Sequence, residues 1–204
     1  MGFREFFDAL LGRSRLPKAK PERLFAMTTA RFPLESSLGL KPSGVAGLCF
    51  KGVESSAYAS TREELKEFLA YSAKETETEF RFEMDEYGFL WVLFQDPDFE
   101  DLVANLHLVC ETLIERGFGK QLLCAVYRFE AGNWEKKPGI RAFMGQKAVY
   151  WIFNFKQGTY YPFVPLLGYK RDNSFEFRLR AGMERELPLE MDVKRWYPLW
   201  EIPF

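Results

Sequence analysis

The order of strand-like and helix-like segments between residues 44 and 130 is the feature that most constrains how this chain can fold. Residues 44–51 have the apolar composition of a strand, and a helical segment follows them and ends near Lys74. The chain then returns through two strand patterns, the second of which is the unbroken apolar run Phe89–Phe94. A second helical segment and a strand at residues 121–130 complete the order β-α-β-β-α-β, which is the split βαβ pattern of a ferredoxin-like sandwich.

Local signals support the positions of these elements. Ser60 and Thr61 each stand three residues before a glutamate, a capping-box pattern that predicts the start of the first helix. Residues 80–84 alternate apolar and charged side chains, which is typical of a half-buried strand. The segment Asp96-Pro97-Asp98 ends the strand Phe89–Phe94 and can cap the second helix. The apolar residues of that helix recur at helical spacing, and they are Phe99, Leu102, Val103, Leu106, Cys110 and Leu113.

The C-terminal part of the chain predicts further strands in the same sheet. Residues 147–156 and 159–164 flank a hairpin loop that ends in Gly158, a residue suited to a positive φ. Residues 175–180 alternate apolar and charged side chains after a turn, and they predict a last strand. The aromatic, proline-rich tail Arg195–Phe204 is expected to pack back onto the body of the protein.

These patterns predict a single α+β domain over residues 21–204. It has one antiparallel sheet with helices on one side, and C-terminal hairpin strands extend its ferredoxin-like core. A secretion-chaperone-like α+β sandwich, built from similar elements in another order, is the alternative. With 47% hydrophobic residues the chain can build a substantial core, but no apolar run approaches the roughly 18 residues that span a bilayer. No signal-peptide pattern is found, so we expect a cytoplasmic protein.

Residues 1–20 are predicted to form a separate segment, an amphipathic helix followed by a basic linker. The apolar side chains recur at helical spacing and lie on one side of a helix that Gly12 ends. Such a stripe needs a surface, which is its own domain, a partner or a membrane. We favour its own domain, with release toward a partner or an anionic membrane that attracts the basic linker. The candidate contact residues are Phe3, Phe6, Phe7, Leu10, Leu11, Arg13, Arg15, Lys18 and Lys20.

Charge is distributed unevenly along the chain. The whole sequence carries 28 basic and 29 acidic residues, whereas residues 54–101 carry 4 basic and 14 acidic ones, a net charge of −10. A nucleic-acid-binding protein is expected to be basic overall, so we expect no nucleic-acid partner. The acidic stretch is either an ordinary solvated surface or a face that docks a basic partner.

No catalytic or metal-binding signature is found in the sequence. His107 is the only histidine, and Cys110 follows it by three residues. With Cys49 and Cys124 they would complete a Cys₃His set, but those two cysteines stand singly in apolar strands rather than in pairs on tight turns. An odd number of cysteines argues against a disulfide framework. We therefore expect no metal, no cofactor and no catalytic residue.

Short blocks of sequence that run from end to end of the chain form a recognisable set. They are Met1-Gly2-Phe3, Leu10-Leu11-Gly12-Arg13, Leu40-Lys41-Pro42-Ser43-Gly44-Val45, Cys49-Phe50-Lys51, Leu106-His107, Gly117-Phe118-Gly119-Lys120-Gln121-Leu122-Leu123-Cys124, Gly158-Thr159-Tyr160-Tyr161-Pro162-Phe163, Arg171-Asp172-Asn173, Asp192 and Arg195-Trp196-Tyr197-Pro198-Leu199-Trp200. In this order the set resembles the PspA-associated protein PspAB family, and residues 130–146 match its pattern least.

The resemblance implies a non-enzymatic accessory protein linked to phage-shock protein A, an effector of the membrane-stress response. Members of the family accompany PspA-like proteins or an HtpX-like membrane protease, and the family brings no catalytic residues. The expectation is a cytoplasmic adaptor that binds one of these two partners, with peripheral contact at the inner face of the cell membrane. A small-ligand or metal-binding protein is the alternative, and it requires a deep polar pocket or His107 close to two thiols.

Overall fold

The computed structural model describes residues 20–131, 148–200 and 202–204. Within these ranges a 3₁₀ turn, Pro21–Phe25, precedes the helices α1 (Ala26–Ser36), α2 (Ser56–Thr76), α3 (Phe99–Glu115) and α4 (Asn173–Met183). The strands are β1 (Leu40–Lys51), β2 (Glu79–Met84), β3 (Phe89–Gln95), β4 (Leu122–Ala131), β5 (Ala148–Asn154), β6 (Thr159–Phe163), β7 (Pro165–Leu166) and β8 (Lys170–Arg171).

Six of these strands form one antiparallel sheet in the order β2-β3-β1-β4-β5-β6, and β7 pairs with β8 separately. Helix α2 connects β1 to β2, which are parallel to each other and separated by β3. Helix α3 connects β3 to β4 across β1 in the same way. These are two interleaved split βαβ units, so the predicted α+β fold with a ferredoxin-like core is confirmed. The hairpin of β5 and β6 extends the sheet beside β4.

The two faces of the sheet carry different layers. Alternation along the strands sends Leu48 and Val92 to the helix side, where they join a core that includes Leu106 and Leu179. The neighbouring residues on the strands, such as Trp91, point to the opposite side and form a second buried cluster. Helices α1 to α4 all contribute to the first cluster, so they share one side of the sheet, as predicted.

The opposite side of the sheet is covered by the C-terminal strap, which we define as residues 195–200 and 202–204. Trp196 is buried against this side, and the hydroxyl of Tyr161 on β6 donates to the carbonyl of Tyr197 at 3.0 Å. At the far end of the strap, Arg81 of the edge strand β2 donates through Nη2 to the carbonyl of Pro203 at 2.8 Å. The strap therefore crosses the sheet from one edge to the other, and the expectation that the tail packs back is confirmed.

The prediction of a last strand at residues 175–180 is wrong, because these residues lie in helix α4. Phe175, Leu179 and Met183 are buried at a spacing of four residues, and Phe177 is on the outer side with 46% of its surface exposed. Asp172 caps the helix, since its side chain accepts the backbone N–H of Phe175 at 2.9 Å. Phe175 and Leu179 fit both the two-residue period of a strand and the spacing of a helix, so residues 175–180 alone do not distinguish the two. The third buried residue of the stripe, Met183, favours the helix.

The predicted start of the first long helix is also wrong. Helix α2 begins at Ser56, and Ser55 is its N-cap, with Oγ accepting the backbone N–H of Tyr58 at 3.2 Å. Thr61 donates its hydroxyl to the carbonyl of Ala57 inside the helix instead of capping it. Among the helices of the described residues, none has both the length and the apolar character needed to cross a membrane.

Candidate interaction surface

The sheet order gathers the acidic stretch of the sequence on one side of the molecule. Strand β2 is the edge strand, α2 packs against β2 and α3, and the start of α3 follows directly from β3, the neighbour of β2. The exposed carboxylates of these elements form what we call the acidic surface, which consists of Glu63, Glu67, Glu77, Glu79, Glu83, Glu86, Asp98 and Glu100.

A buried hydrogen-bond network holds these elements in register. Asp96, at the end of β3, is 2% exposed and accepts the hydroxyl of Thr78, which stands just before β2. Its other carboxylate oxygen accepts the backbone N–H of Asp98, the N-cap of α3, at 2.7 Å. Asn105 on α3 donates to the Thr78 hydroxyl at 3.3 Å. Because buried polar groups are costly when left unpaired, this network fixes the position of β2 against α3.

Several basic side chains near the acidic surface are already paired with its carboxylates. Lys66 donates to Glu63 at 2.9 Å, and its hydrogen bond lowers the pKa of that carboxyl group. Arg81 lies 3.3 Å from Glu83 on the same strand. At the start of α3, burial raises the pKa of Asp101, and the charges of the neighbouring carboxylates raise it further.

Large apolar side chains are exposed next to these carboxylates. Phe68 and Tyr71 on α2 are 54% and 67% exposed, and Met84 at the end of β2 is 62% exposed. Exposed aromatic and methionine side chains are enriched at protein–protein interfaces, whereas isolated charges are common on any surface. The combination makes the acidic surface a candidate for docking a protein.

The residues of the Cys₃His alternative lie on two sides of the sheet. Cys49 on β1 faces Cys124 on β4 directly, in the cluster on the strap side. Cys110 is buried on the helix side, and the ring of His107 lies 4.4 Å from that of Phe25. Among the described residues no group of three or more His, Cys, Asp and Glu side chains is arranged to hold a metal ion.

A small cavity lies between the β2 end of the sheet and the strap. Its volume is about 110 Å³, and Val45, Arg81 and Phe204 are among its lining residues. Pockets that bury a drug-sized ligand have volumes of roughly 300–1,000 Å³. This cavity is therefore too small for the deep polar pocket that the small-ligand alternative requires.

The family model for PspA associated protein B, PspAB, matches residues 4–204. The chain belongs to the PspAB family. This confirms the resemblance inferred from the sequence blocks, and the name of the family states an association with PspA, which fits an accessory role. No curated protein and no solved structure matches the chain significantly.

The contact residues that the sequence predicts in this PspAB chain fall almost entirely outside the described residues. Lys20 is exposed, and the other eight lie within residues 1–19. Just after Lys20 the chain is fixed to the hairpin of β5 and β6. Arg23 donates through Nη1 to the carbonyl of Gly158 at 2.8 Å, and the hydroxyl of Tyr160 donates to the carbonyl of Leu24 at 3.1 Å. The role of the N-terminal segment stays a prediction.

Sequence reasoning found the charge of the acidic surface but missed its apolar residues. The signal was present in α2, where Leu65 and Leu69 mark the buried stripe. At 100° per residue, Phe68 lies about 60° and Tyr71 about 120° away from Leu65 on the helix. An aromatic residue that far from the buried stripe is expected to be exposed.

Proposed function

We propose that this PspAB-family protein is a non-enzymatic adaptor that binds a PspA-like protein through its acidic surface. The observation that carries the proposal is the exposure of Phe68, Tyr71 and Met84 among the carboxylates of one side of the molecule. The apolar side chains supply area to bury, and the carboxylates supply orientation and rate of association with a basic partner. The family name supports PspA as that partner.

We further propose that the protein acts in the cytoplasm as part of a membrane-stress response. Residues 3–20 would then provide a second contact, either with the partner or with the inner face of the membrane. An apolar stripe followed by basic residues has the two signals needed for reversible membrane binding. An HtpX-like membrane protease is the alternative partner, and the N-terminal segment would bring the adaptor to it.

The test is a binding titration of the purified full chain with the purified PspA protein of the same organism. We expect a complex whose affinity falls as salt rises from about 0.1 M to about 1 M, because the Debye length shortens from about 10 Å to about 3 Å. A parallel titration with the soluble part of an HtpX-like protease distinguishes the two partners. The absence of binding to the PspA protein at every salt concentration would overturn the proposal.

A charge-reversal pair tests whether the acidic surface is the contact. Glu67→Lys with Glu79→Lys is expected to weaken the complex by about tenfold, since two favourable surface charges become unfavourable. The matched control is Glu184→Lys with Glu186→Lys, which makes the same change in net charge at exposed positions after α4. An equal loss in both variants would mean that net charge, rather than this surface, controls binding.

A further inference from the structure

The two edges of the six-stranded sheet differ in whether another segment covers them. The outer edge of β6 is covered by residues 188–190. The backbone N–H of Tyr160 donates to the carbonyl of Pro188 at 2.8 Å, and the carbonyl of Tyr160 accepts the N–H of Glu190 at 2.8 Å. At the other edge, β2 pairs with β3, and no other strand among the described residues pairs with β2.

The register of the hairpin shows which backbone groups of β2 are directed outward. The backbone N–H of Asp85 donates to the carbonyl of Phe89 at 2.9 Å, which marks a hydrogen-bonded pair. Pairs alternate along an antiparallel ladder, so Glu83, Arg81 and Glu79 bond to β3. The residues between them direct both their N–H and C=O groups to the open edge, and these residues are Phe80, Phe82 and Met84.

The side chains of β2 determine what kind of strand could pair there. Glu79, Arg81 and Glu83 are exposed on the strap side, and Phe80 and Phe82 are half-buried on the helix side. A strand added beside β2 would lay one set of alternate side chains against Glu79, Arg81 and Glu83. Its other set would lie against the two phenylalanine rings and cover their exposed surface.

A second copy of this chain fits the edge less well than a segment of complementary charge. Two antiparallel registers pair five residues of each β2 strand. In the first, Arg81 would face Arg81 and Glu79 would face Glu83. In the second, Arg81 would face Glu83, but Glu79 would face Asp85. Like charges directly opposite each other are destabilising, and charged edge strands are a common protection against self-association. A segment with basic side chains opposite Glu79 and Glu83, and an uncharged or acidic side chain opposite Arg81, does not meet this repulsion.

We propose that the outer edge of β2 binds an extended segment of the PspA-like partner by β-strand addition. That segment carries Lys or Arg opposite Glu79 and Glu83, an uncharged or acidic residue opposite Arg81, and apolar residues at the positions between them. This rests on the proposed function, because it specifies how the acidic surface holds its partner. The backbone groups of Phe80, Phe82 and Met84 supply the ladder, and Glu79 and Glu83 select the basic side chains.

The first test is amide hydrogen exchange on the full chain, free and in complex with the purified PspA protein. The amides of Phe80, Phe82 and Met84 are expected to exchange at least about tenfold more slowly in the complex, because each gains a backbone hydrogen bond. The amides of Arg81 and Glu83, already bonded to β3, should change less. If a complex forms and the three outward amides are unprotected, the strand-addition proposal is wrong and the adaptor proposal stands.

The second test compares Met84→Pro with Met84→Ala. Proline removes one outward N–H at an exposed edge position where proline is tolerated, and alanine removes only the side chain. We expect the proline variant to bind the PspA protein about tenfold more weakly than the alanine variant. If the two variants have equal thermal stability and equal affinity for the PspA protein, the strand-addition proposal is wrong. If the unmodified chain itself does not bind the PspA protein, the adaptor function is wrong instead.

Discussion

Gly47 on β1 lies directly beneath the ring of Phe204 in the C-terminal strap. A β-carbon at position 47 would stand 3.1 Å from Cε1 of that ring and 2.9 Å from Cδ2 of Leu93. The ring of Phe204 also stacks on Tyr150, with 6.1 Å between centroids. The missing side chain of Gly47 therefore allows the strap to lie close against the middle of the sheet.

Gly47→Ala is expected to lower the free energy of unfolding by about 1–3 kcal/mol, because the added methyl group displaces Phe204 and Leu93. This cost outweighs the gain of about 0.4–1 kcal/mol that alanine brings by restricting the unfolded chain. Urea denaturation measures the change. Adding Phe204→Leu to Gly47→Ala should recover part of the loss, and strictly additive effects of the two substitutions would contradict the contact.

Glu176 on α4 is the basis of a prediction about pH. It is 1% exposed, accepts the backbone N–H of Val164 at 2.8 Å, and pairs with Nε of Arg171 at 2.8 Å. Burial raises the pKa of this carboxyl group above its usual 4.5, against the lowering effect of Arg171. The folded protein therefore binds this proton more readily than the unfolded chain does.

The contribution of Glu176 to stability is thus largest at low pH and declines as pH rises from about 4.5 through the folded-state pKa. Comparing the unmodified chain with Glu176→Gln over this range isolates the effect, since glutamine does not titrate. As pH rises, the free energy of unfolding of the unmodified chain should fall relative to that of the glutamine variant. Glu186→Gln, at an exposed position, is the control. A difference that stays constant with pH would contradict the prediction.

The network around Asp96 gives a third prediction. Thr78→Val keeps the shape of the side chain but removes the hydroxyl that donates to Asp96 and accepts from Asn105. We expect a loss of about 1–3 kcal/mol, since a buried carboxylate loses a donor. Thr112→Val is the control, because its hydroxyl donates only to the carbonyl of Leu108 within α3. Thermal unfolding of the two variants would show equal losses if the network contributed nothing beyond an ordinary hydrogen bond.

The sequence predicts best those parts of the fold where only one pattern fits the residues. Apolar side chains recur at helical spacing over four turns in residues 99–113, and the short, unbroken apolar run Phe89–Phe94 is typical of a buried strand. The start of α2 was missed because Ser55 caps the helix without the glutamate three residues later that marks Ser60 and Thr61. In the first turn of α2, the ring of Tyr58 packs edge-on against Phe118, with 5.2 Å between centroids, a tertiary contact that no capping pattern shows.

The candidate site was only partly predictable for a similar reason. The net charge of residues 54–101 is a property of the sequence, so the acidic surface could be expected. The open edge of β2 depends instead on the order of all six strands, and on residues 188–190, which close the opposite edge. Nothing in the sequence of residues 79–84 indicates that residues 188–190 cover the opposite edge of the sheet rather than the edge formed by β2.

The last prediction concerns the N-terminal segment, which lies outside the described residues. Phe6→Asp with Phe7→Asp places two charges on the predicted apolar stripe. If the stripe docks on its own domain, as we expect, the free energy of unfolding falls by a few kcal/mol at most, because burial and ordering nearly cancel. If the stripe is instead the contact element, stability is unchanged, and binding to the PspA protein or to anionic vesicles is lost.

Gly2→Asp with Ala9→Asp is the matched control, since it makes the same change in charge at positions off the stripe. Urea denaturation and vesicle sedimentation are measured on both variants and on the unmodified chain. A stripe variant that matches the control in stability, in vesicle binding and in affinity for the PspA protein would show that the segment neither docks nor binds. The functional role proposed for residues 3–20 would then have to be abandoned, and the acidic surface would remain as the contact with the partner.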